Sequence, residues 1–427
     1  MIERVMVVGG GTGGHLFPGI AVVEELRRRN PQVQVMFVGT ERGIEARVLP
    51  RLGEKLSLVD VRPWLGRSPL QLARNVAILP KAVAQATSLL RQWKPQLVIG
   101  LGGYTAGPVL MLAAAMRIPT ALLEQNAHVG LTNRLLSNTV GRAYLTYPQT
   151  LPQFGSEKGR VLGNPVRRAF VEAAQLAMHD PAGQEARARR VLVLGGSQGA
   201  KTLNDIVPSA LALASQNVSV LHQTGESAVE QVKQRYRELG VEAEVVPFID
   251  DMARAYASAS LVVARAGATT LAELCAIGKP SILIPYPHAA EDHQMKNARA
   301  MQDAGAALAI AESELSAEGL ANQVRSLLVG RSERRAMAES ARALGRPEAA
   351  AAIVDDLCAY LGVPVDGGTG AGGSGERSTE GPADPGARGS AQVELSPSVM
   401  VARGVVRRPR VRRAPLRVRP VEHALPL

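Results

Sequence analysis

Two segments of this chain begin in the same way. Val5-Met-Val-Val-Gly-Gly-Gly-Thr-Gly-Gly-His15 runs four apolar residues into a glycine cluster, and Val191-Leu-Val-Leu-Gly-Gly-Ser-Gln-Gly-Ala200 repeats the pattern 186 residues later. In register, Gly195 falls on Gly9, Gly196 on Gly10 and Gly199 on Gly13. Each segment reads as a buried strand, a tight turn and a helix, with Pro18 tolerated in the first turn of the first helix. Glycines at such a turn let a ligand approach backbone N–H groups, and a helix N-terminus favours negative charge. A single loop of this kind arises readily as a plain strand-to-helix turn. Two in register at domain spacing point to two Rossmann-like halves and to phosphate or sugar-nucleotide binding.

The rest of the chain supports an α/β class. Val33–Val38, Leu97–Gly100 and Pro119–Glu124 read as strands, separated by helical stretches, and in the second half Ser219–Gln223, Glu242–Phe248, Leu261–Ala264 and Ser281–Ile284 do the same. Strands alternating with helices imply parallel sheets covered on both faces, doubly wound, with ligands at the carboxyl ends of the strands. Gly155–Arg160 and Gly163-Asn-Pro165 look like a turn-rich crossover between domains, and Pro80 argues against a single helix through Leu72–Val83.

At 427 residues the chain can bury two cores, and with 3% aromatic residues those cores must be aliphatic. No run approaches the length of a membrane span, and the first strand starts too early to leave room for a signal peptide. Cys275 and Cys358 suggest neither a disulfide framework nor a zinc site. These features suit a protein of the reducing cytoplasm. The net charge of +11 suits an anionic ligand or an anionic membrane surface. Residues 363–427 are Gly/Ser/Pro-rich and then arginine-rich, with eight arginines between Arg403 and Arg419, and are expected to be disordered. That tail can be a solvated extension, or it can touch anionic lipid or nucleic acid.

Individual residues carry the chemistry. Gly9, Gly11 and Gly14 satisfy G-x-G-x-x-G, and Glu41 near the end of the second strand keeps dinucleotide binding open; no Gly-Lys-Ser/Thr follows either loop, so the P-loop reading fails. His15 opens a helix whose dipole disfavours the imidazolium, which suits a proton acceptor; the alternative is a helix-start residue bonded to backbone. Ala264–Pro280 reads as strand end, turn at Gly267 and helix, with Thr269, Thr270 and Glu273 in its first turns. Glu273 could hold a ribose diol or simply stabilise the helix start. His288, Asp292 and His293 lack the spacing of a metal site.

As an ordered set these residues resemble one family. Gly10-Gly-Thr-Gly-Gly-His15, Gly102-Gly-Tyr104, Glu124-Gln-Asn126, Gly163-Asn-Pro-Val-Arg167, Gly195-Gly-Ser-Gln-Gly199, Phe248-Ile249, Arg265-Ala-Gly-Ala268 through Glu273, and Asp292-His-Gln-x-x-Asn297 look like the bacterial UDP-N-acetylglucosamine transferases that act on undecaprenyl-diphosphate-linked N-acetylmuramyl-pentapeptide. The resemblance covers about residues 1–361 and leaves 363–427 without a counterpart. It implies a GT-B fold, two Rossmann-like domains facing across a cleft. Residues 1–162 would form the acceptor and membrane side, 163–345 the UDP-sugar domain, and 346–361 a helix packing back on the first.

The resemblance further implies an inverting transfer to the C4 hydroxyl of the muramyl sugar, in peptidoglycan precursor synthesis, with neither cofactor nor metal and no nucleic-acid partner. Ser197 and its loop would meet the donor phosphates, Glu273 the ribose, the Ile249 backbone the uracil, and Arg167 the nucleotide. Ala268, Thr269, Thr270, Leu271 and Ala272 would line the donor with Glu273, while Asn126 and Gln294 would hold sugar hydroxyls. Thr12, Gly13 and Gly14 would face the reacting sugar and acceptor diphosphate, with His15 as base. The lipid acceptor places such an enzyme peripherally on the cytoplasmic face of the inner membrane, where Trp64-Leu65 and Leu72–Val83 mix apolar and basic residues suitably. Alternatives are another UDP-sugar GT-B transferase, a nucleotide-dependent oxidoreductase, or a non-catalytic basic binding module.

Overall fold

The computed structural model describes residues 1–61, 69–179, 189–196, 199–214, 217–289 and 292–365, apart from the side chains of 69–79 and 177–179. Trp64, Leu65, Ser197 and the arginine-rich tail lie outside the described residues, as do the side chains of 72–79 in the proposed membrane patch.

Two wholly parallel sheets carry the fold. The first has the order β3-β2-β1-β4-β5-β6-β7, from β1 (Arg4–Val8), β2 (Gln34–Gly39), β3 (Leu56–Leu58), β4 (Leu97–Gly100), β5 (Thr120–Glu124), β6 (Arg142–Leu145) and β7 (Gly159–Val161). The second has the order β10-β9-β8-β11-β12-β13, from β8 (Arg190–Leu194), β9 (Ser219–Gln223), β10 (Glu242–Val246), β11 (Leu261–Ala264), β12 (Ser281–Leu283) and β13 (Leu308–Ala309). In both, the strand order reverses beside the strand that leads into a glycine loop, β1 against β4 and β8 against β11. A doubly wound sheet opens a ligand crevice at that switch point.

The central strands are buried on both faces and so read as unbroken apolar runs rather than alternating ones. Val5 and Val7 pack to one side of the first sheet and Met6 and Val8 to the other, in separate clusters. The sequence expectation differs from the structure in two places. Helix α3 (Pro69–Trp93), the third after α1 (Gly13–Arg29) and α2 (Glu45–Arg51), continues through Pro80, which is tolerated at an exposed position. The supposed crossover at Gly155–Arg160 forms a short helix, Gly155–Lys158, and leads into edge strand β7.

The chain's last described helix, Ala349–Leu361, packs on α1. Ile353, Val354 and Leu357 join the cluster under β1, each worth roughly 2 kcal/mol of transfer from water. A polar clamp fixes the helix beside them. Asp356 accepts hydrogen bonds from Arg142 Nε at 3.1 Å, Arg160 Nε at 3.1 Å and Tyr144 OH at 2.9 Å, while Arg29 pairs with Asp355. Asp356→Ala leaves two guanidinium groups and a buried phenol without their acceptor. Full burial of such a pair makes its loss cost about 3–5 kcal/mol. The clamp retains some solvent, so the expected loss is about 2 kcal/mol, seen as a lower urea midpoint. An unchanged midpoint would mean that the apolar face alone anchors the helix.

Candidate active site

The first glycine loop is built by close backbone approach. Gly9 and Gly102 both have positive φ, and a Cβ on Gly9 would stand 2.5 Å from the Gly102 carbonyl. The turns after β1 and β4 therefore pack backbone against backbone, which is what the switch point requires. In the second half a Cβ on Gly199, also at positive φ, would lie 2.0 Å from Thr224 O.

The first loop meets the second half of the chain at the Ala268–Ile277 helix. Thr269, in the first turn of the Ala268–Ile277 helix, donates to Gly14 O in the first turn of α1 at 2.7 Å. Gly14 and Thr12 are exposed at this edge and Gly13 is partly so. His15 lies just beneath, half-buried, with Nδ1 3.2 Å from Thr12 Oγ1 and its ring against Gly102. Burial pulls its pKa below the ordinary value. Glu124 opposes this, His293 from the second half adds to it, and the Gly10 carbonyl and Glu45 favour the proton. The imidazole is thus neutral at neutral pH and has acceptors nearby once protonated.

On the second half, Arg167 lies with its guanidinium 4.5 Å from the Phe17 ring and 5.0 Å from Phe170. Its Nε and Nη2 are buried with no hydrogen-bond acceptor among the described residues, and Glu273 Oε1 is 3.8 Å from Nη2. Buried donors of this kind are costly unless a partner meets them. Glu273 accepts from Tyr256 OH at 3.3 Å, and burial pushes its carboxyl up to about 7 against the opposing pull of Arg167. Ile249 is buried in the same cluster as Leu271, while Ala268 is buried at the helix start. Thr270 and Ala272 are partly exposed beside them.

The remaining sugar-binding candidates are tied to their own loops. Asn126 donates its backbone N–H and Nδ2 to Glu124 Oε1 at 3.0 and 3.4 Å, and Gln294 Oε1 accepts from Tyr286 N at 3.0 Å. Among the described residues no group of His, Cys, Asp and Glu could hold a metal ion.

Comparison with known proteins places the fold. The glycosyltransferase family 28 N-terminal domain matches residues 5–145 and its C-terminal domain residues 190–353. A UDP-N-acetylglucosamine–N-acetylmuramyl-(pentapeptide) pyrophosphoryl-undecaprenol N-acetylglucosamine transferase from Anaeromyxobacter dehalogenans is 48% identical over 361 residues, 84% of this chain and 93% of that protein. The chain belongs to this transferase family. A Myxococcus xanthus member of the same name is 46% identical over 86% of this chain and 95% of its own length. The crystal structure of Acinetobacter baumannii MurG aligns with a TM-score of 0.64 at 33% identity, covering 83% of this chain and 98% of that one. A Neisseria meningitidis UDP-GlcNAc 2-epimerase, 16% identical with a TM-score of 0.59 over 84% of this chain and all of its own, shares the fold. The two-domain α/β architecture is therefore GT-B.

Within this family member, several groups at the cleft escape sequence reasoning. Glu124 accepts from Gly130 N at 3.0 Å and from Asn133 Nδ2 at 2.9 Å, which orders the loop behind His15. Tyr256 reaches Glu273 from a separate helix, Met252–Ser258, so no local pattern joins them. Glu41, the residue that kept a dinucleotide site open, is exposed, while the buried acid after β2 is Glu45.

Glu273 holds its proton more tightly in the folded state than the ordinary value of 4.5 allows. Stability linked to it is thus present below about pH 4.5 and lost as pH rises through about 7. Glu273→Gln avoids that cost while keeping an acceptor for Tyr256. The variant should be more stable than wild type at pH 8 by up to about 3 kcal/mol, with the gap closing by pH 4. Denaturation at the two pH values measures it, and a gap independent of pH would contradict burial as its origin.

Proposed function

We propose that the chain transfers N-acetylglucosamine from UDP-N-acetylglucosamine to the C4 hydroxyl of undecaprenyl-diphosphate-linked N-acetylmuramyl-pentapeptide with inversion. One juxtaposition carries this reading. Gly14, next to the neutral imidazole of His15, accepts from Thr269, and the helix that carries Thr269 also carries Glu273, which lies 3.8 Å from the buried Arg167 guanidinium. An oxyanion leaving group and a hydroxyl nucleophile need those two functions at one place.

In this reading the donor occupies the second half. Ile249 offers backbone to the uracil, Glu273 faces the ribose, Arg167 fixes the nucleotide, and the first turns from Ala268 to Ala272 lie along it. Ser197 and its loop meet the diphosphate, where N–H groups and the helix dipole offset the charge that grows as UDP departs. Asn126 and Gln294 hold sugar hydroxyls, and the N-terminus of α1 at Thr12, Gly13 and Gly14 meets the acceptor diphosphate.

The acceptor oxygen attacks the anomeric carbon, the bond to the UDP oxygen breaks, and the proton passes to His15. Thr12 engages Nδ1, which leaves Nε2 on the Gly102 side as the receiving atom. No described helix is long and apolar enough to cross a membrane. An acceptor with a lipid tail is then met by peripheral attachment at the cytoplasmic membrane face.

Transfer of labelled N-acetylglucosamine to the lipid-linked acceptor tests the reading. His15→Ala should lower kcat by about 100-fold or more while leaving the KM for UDP-N-acetylglucosamine near wild type. In wild type, kcat/KM should fall only on the acid side of the ordinary imidazole value of 6.5, because burial depresses the base. Unchanged turnover in His15→Ala would remove it as the base, and absence of transfer by wild type would sink the activity itself.

A further inference from the structure

The first glycine loop already has a carboxyl side chain bonded to its backbone. Glu45 opens α2 and is fully buried. Its Oε2 accepts from Gly11 N at 2.7 Å, and its Oε1 accepts from Thr40 N at 2.9 Å and Thr40 Oγ1 at 3.2 Å. The surrounding backbone is shaped to it. A Cβ on Gly10, Gly39 or Gly43 would come within 2.4, 2.3 or 2.1 Å of the Glu45 side chain, so three glycines from two loops make room for one carboxylate. Thr40 Oγ1 also lies 3.4 Å from Tyr104 OH, which ties the arrangement to the glycine turn after β4.

Gly11 is the middle glycine of the G-x-G-x-x-G pattern, at φ +83°. In a dinucleotide site that turn serves a pyrophosphate. Here the Gly11 N–H is spent on an internal carboxylate, and the residues that follow it, Thr12 to Gly14, are the ones exposed to the cleft. The carboxylate therefore does two things. It fixes the backbone that aims the N-terminus of α1, and it takes the Gly11 N–H that a pyrophosphate would otherwise use.

We propose that Glu45 is a positioning residue for glycosyl transfer: it clamps the first glycine loop so that Thr12, Gly13, Gly14 and His15 face the acceptor, and it closes that loop to nucleotide phosphates. The inference rests on the transferase reading above. Titratable groups facing His15 are Glu124 at the end of β5, His293 of the His293–Asp303 helix, and Glu45 itself. Of these, Glu45 alone also bonds the loop backbone that carries Thr12.

A glutamine keeps the shape of Glu45 but must turn its NH2 toward either Gly11 N–H or the Thr40 donors, so one side of the clamp opens. Glu45→Gln should lower kcat by about 10- to 100-fold through loss of alignment. The KM and calorimetric Kd for UDP-N-acetylglucosamine should stay within about twofold, since the donor binds the other half. Loss of the charge should also move the acid limb of the kcat/KM profile to lower pH, with Glu124 and His293 unchanged.

Thr40→Val, which removes only the hydroxyl donor, should give a smaller loss of kcat, and Thr40→Ser should restore it. These two variants decide the matter should Glu45→Gln fail to fold. Wild-type kcat in Glu45→Gln, or in Thr40→Val if the first is unfolded, overturns the proposal. So does a loss of donor binding in proportion to kcat, which marks a role in general folding. If wild type itself shows no transfer, the transferase reading fails; if wild type transfers and the variants match it, the Glu45 assignment alone fails.

Discussion

The hydrogen bond from Thr269 to Gly14 O joins two helices that each begin at the carboxyl end of a buried parallel strand. At 2.7 Å it brings the two helix starts together at the edge of the cleft. Within each half, glycine lets backbone pack against backbone at Gly9 and Gly199 and seats the His15 ring against Gly102. Everything else at the cleft follows from this approach. Helix N-termini from both sheets point at the same volume, and each brings its own field favouring anions.

Within that shared field the two halves are dressed differently. The first has a carboxylate, Glu45, already seated on its loop and a neutral imidazole at the rim. The second has a guanidinium with buried donors to offer, next to a carboxyl whose charge is suppressed by burial. The first loop has an N–H engaged by an internal carboxylate, and on the second half Arg167 has N–H groups to offer. A single duplicated supersecondary unit thus yields a side suited to proton transfer and a side suited to nucleotide.

Much of the fold is legible because its strands are largely apolar on both faces and stop at glycine or polar residues. β1, β4, β5, β8, β9 and β11 follow from that pattern, and the repeat in register implied two halves. The edges were not legible. β3, β7 and β13 are two or three residues long and take their pairing from neighbouring strands rather than from their own composition. Pro80 misled because a local rule about helix interiors yields to tertiary context.

At the site, residues next to glycine motifs could be named from sequence. Partners brought from elsewhere could not, as with Tyr256 on Glu273, and Glu124, named with Gln125 and Asn126, gives no sign in sequence of standing behind His15. Glu45 is the instructive case. Glu41 stands where a dinucleotide acid belongs, yet the glycines at 39 and 43 are those that leave space for the later acid.

The most direct test of a nucleotide half facing an acceptor half is amide hydrogen exchange with UDP alone, and then with the acceptor added. UDP should slow exchange around Gly195–Gly199 and Gly267–Glu273 and leave Gly9–Gly14 as in the free protein, with protection of that first loop appearing only when the lipid-linked acceptor joins. Protection of Gly9–Gly14 by UDP alone, with the second loop unaffected, would contradict the division of labour between the two halves.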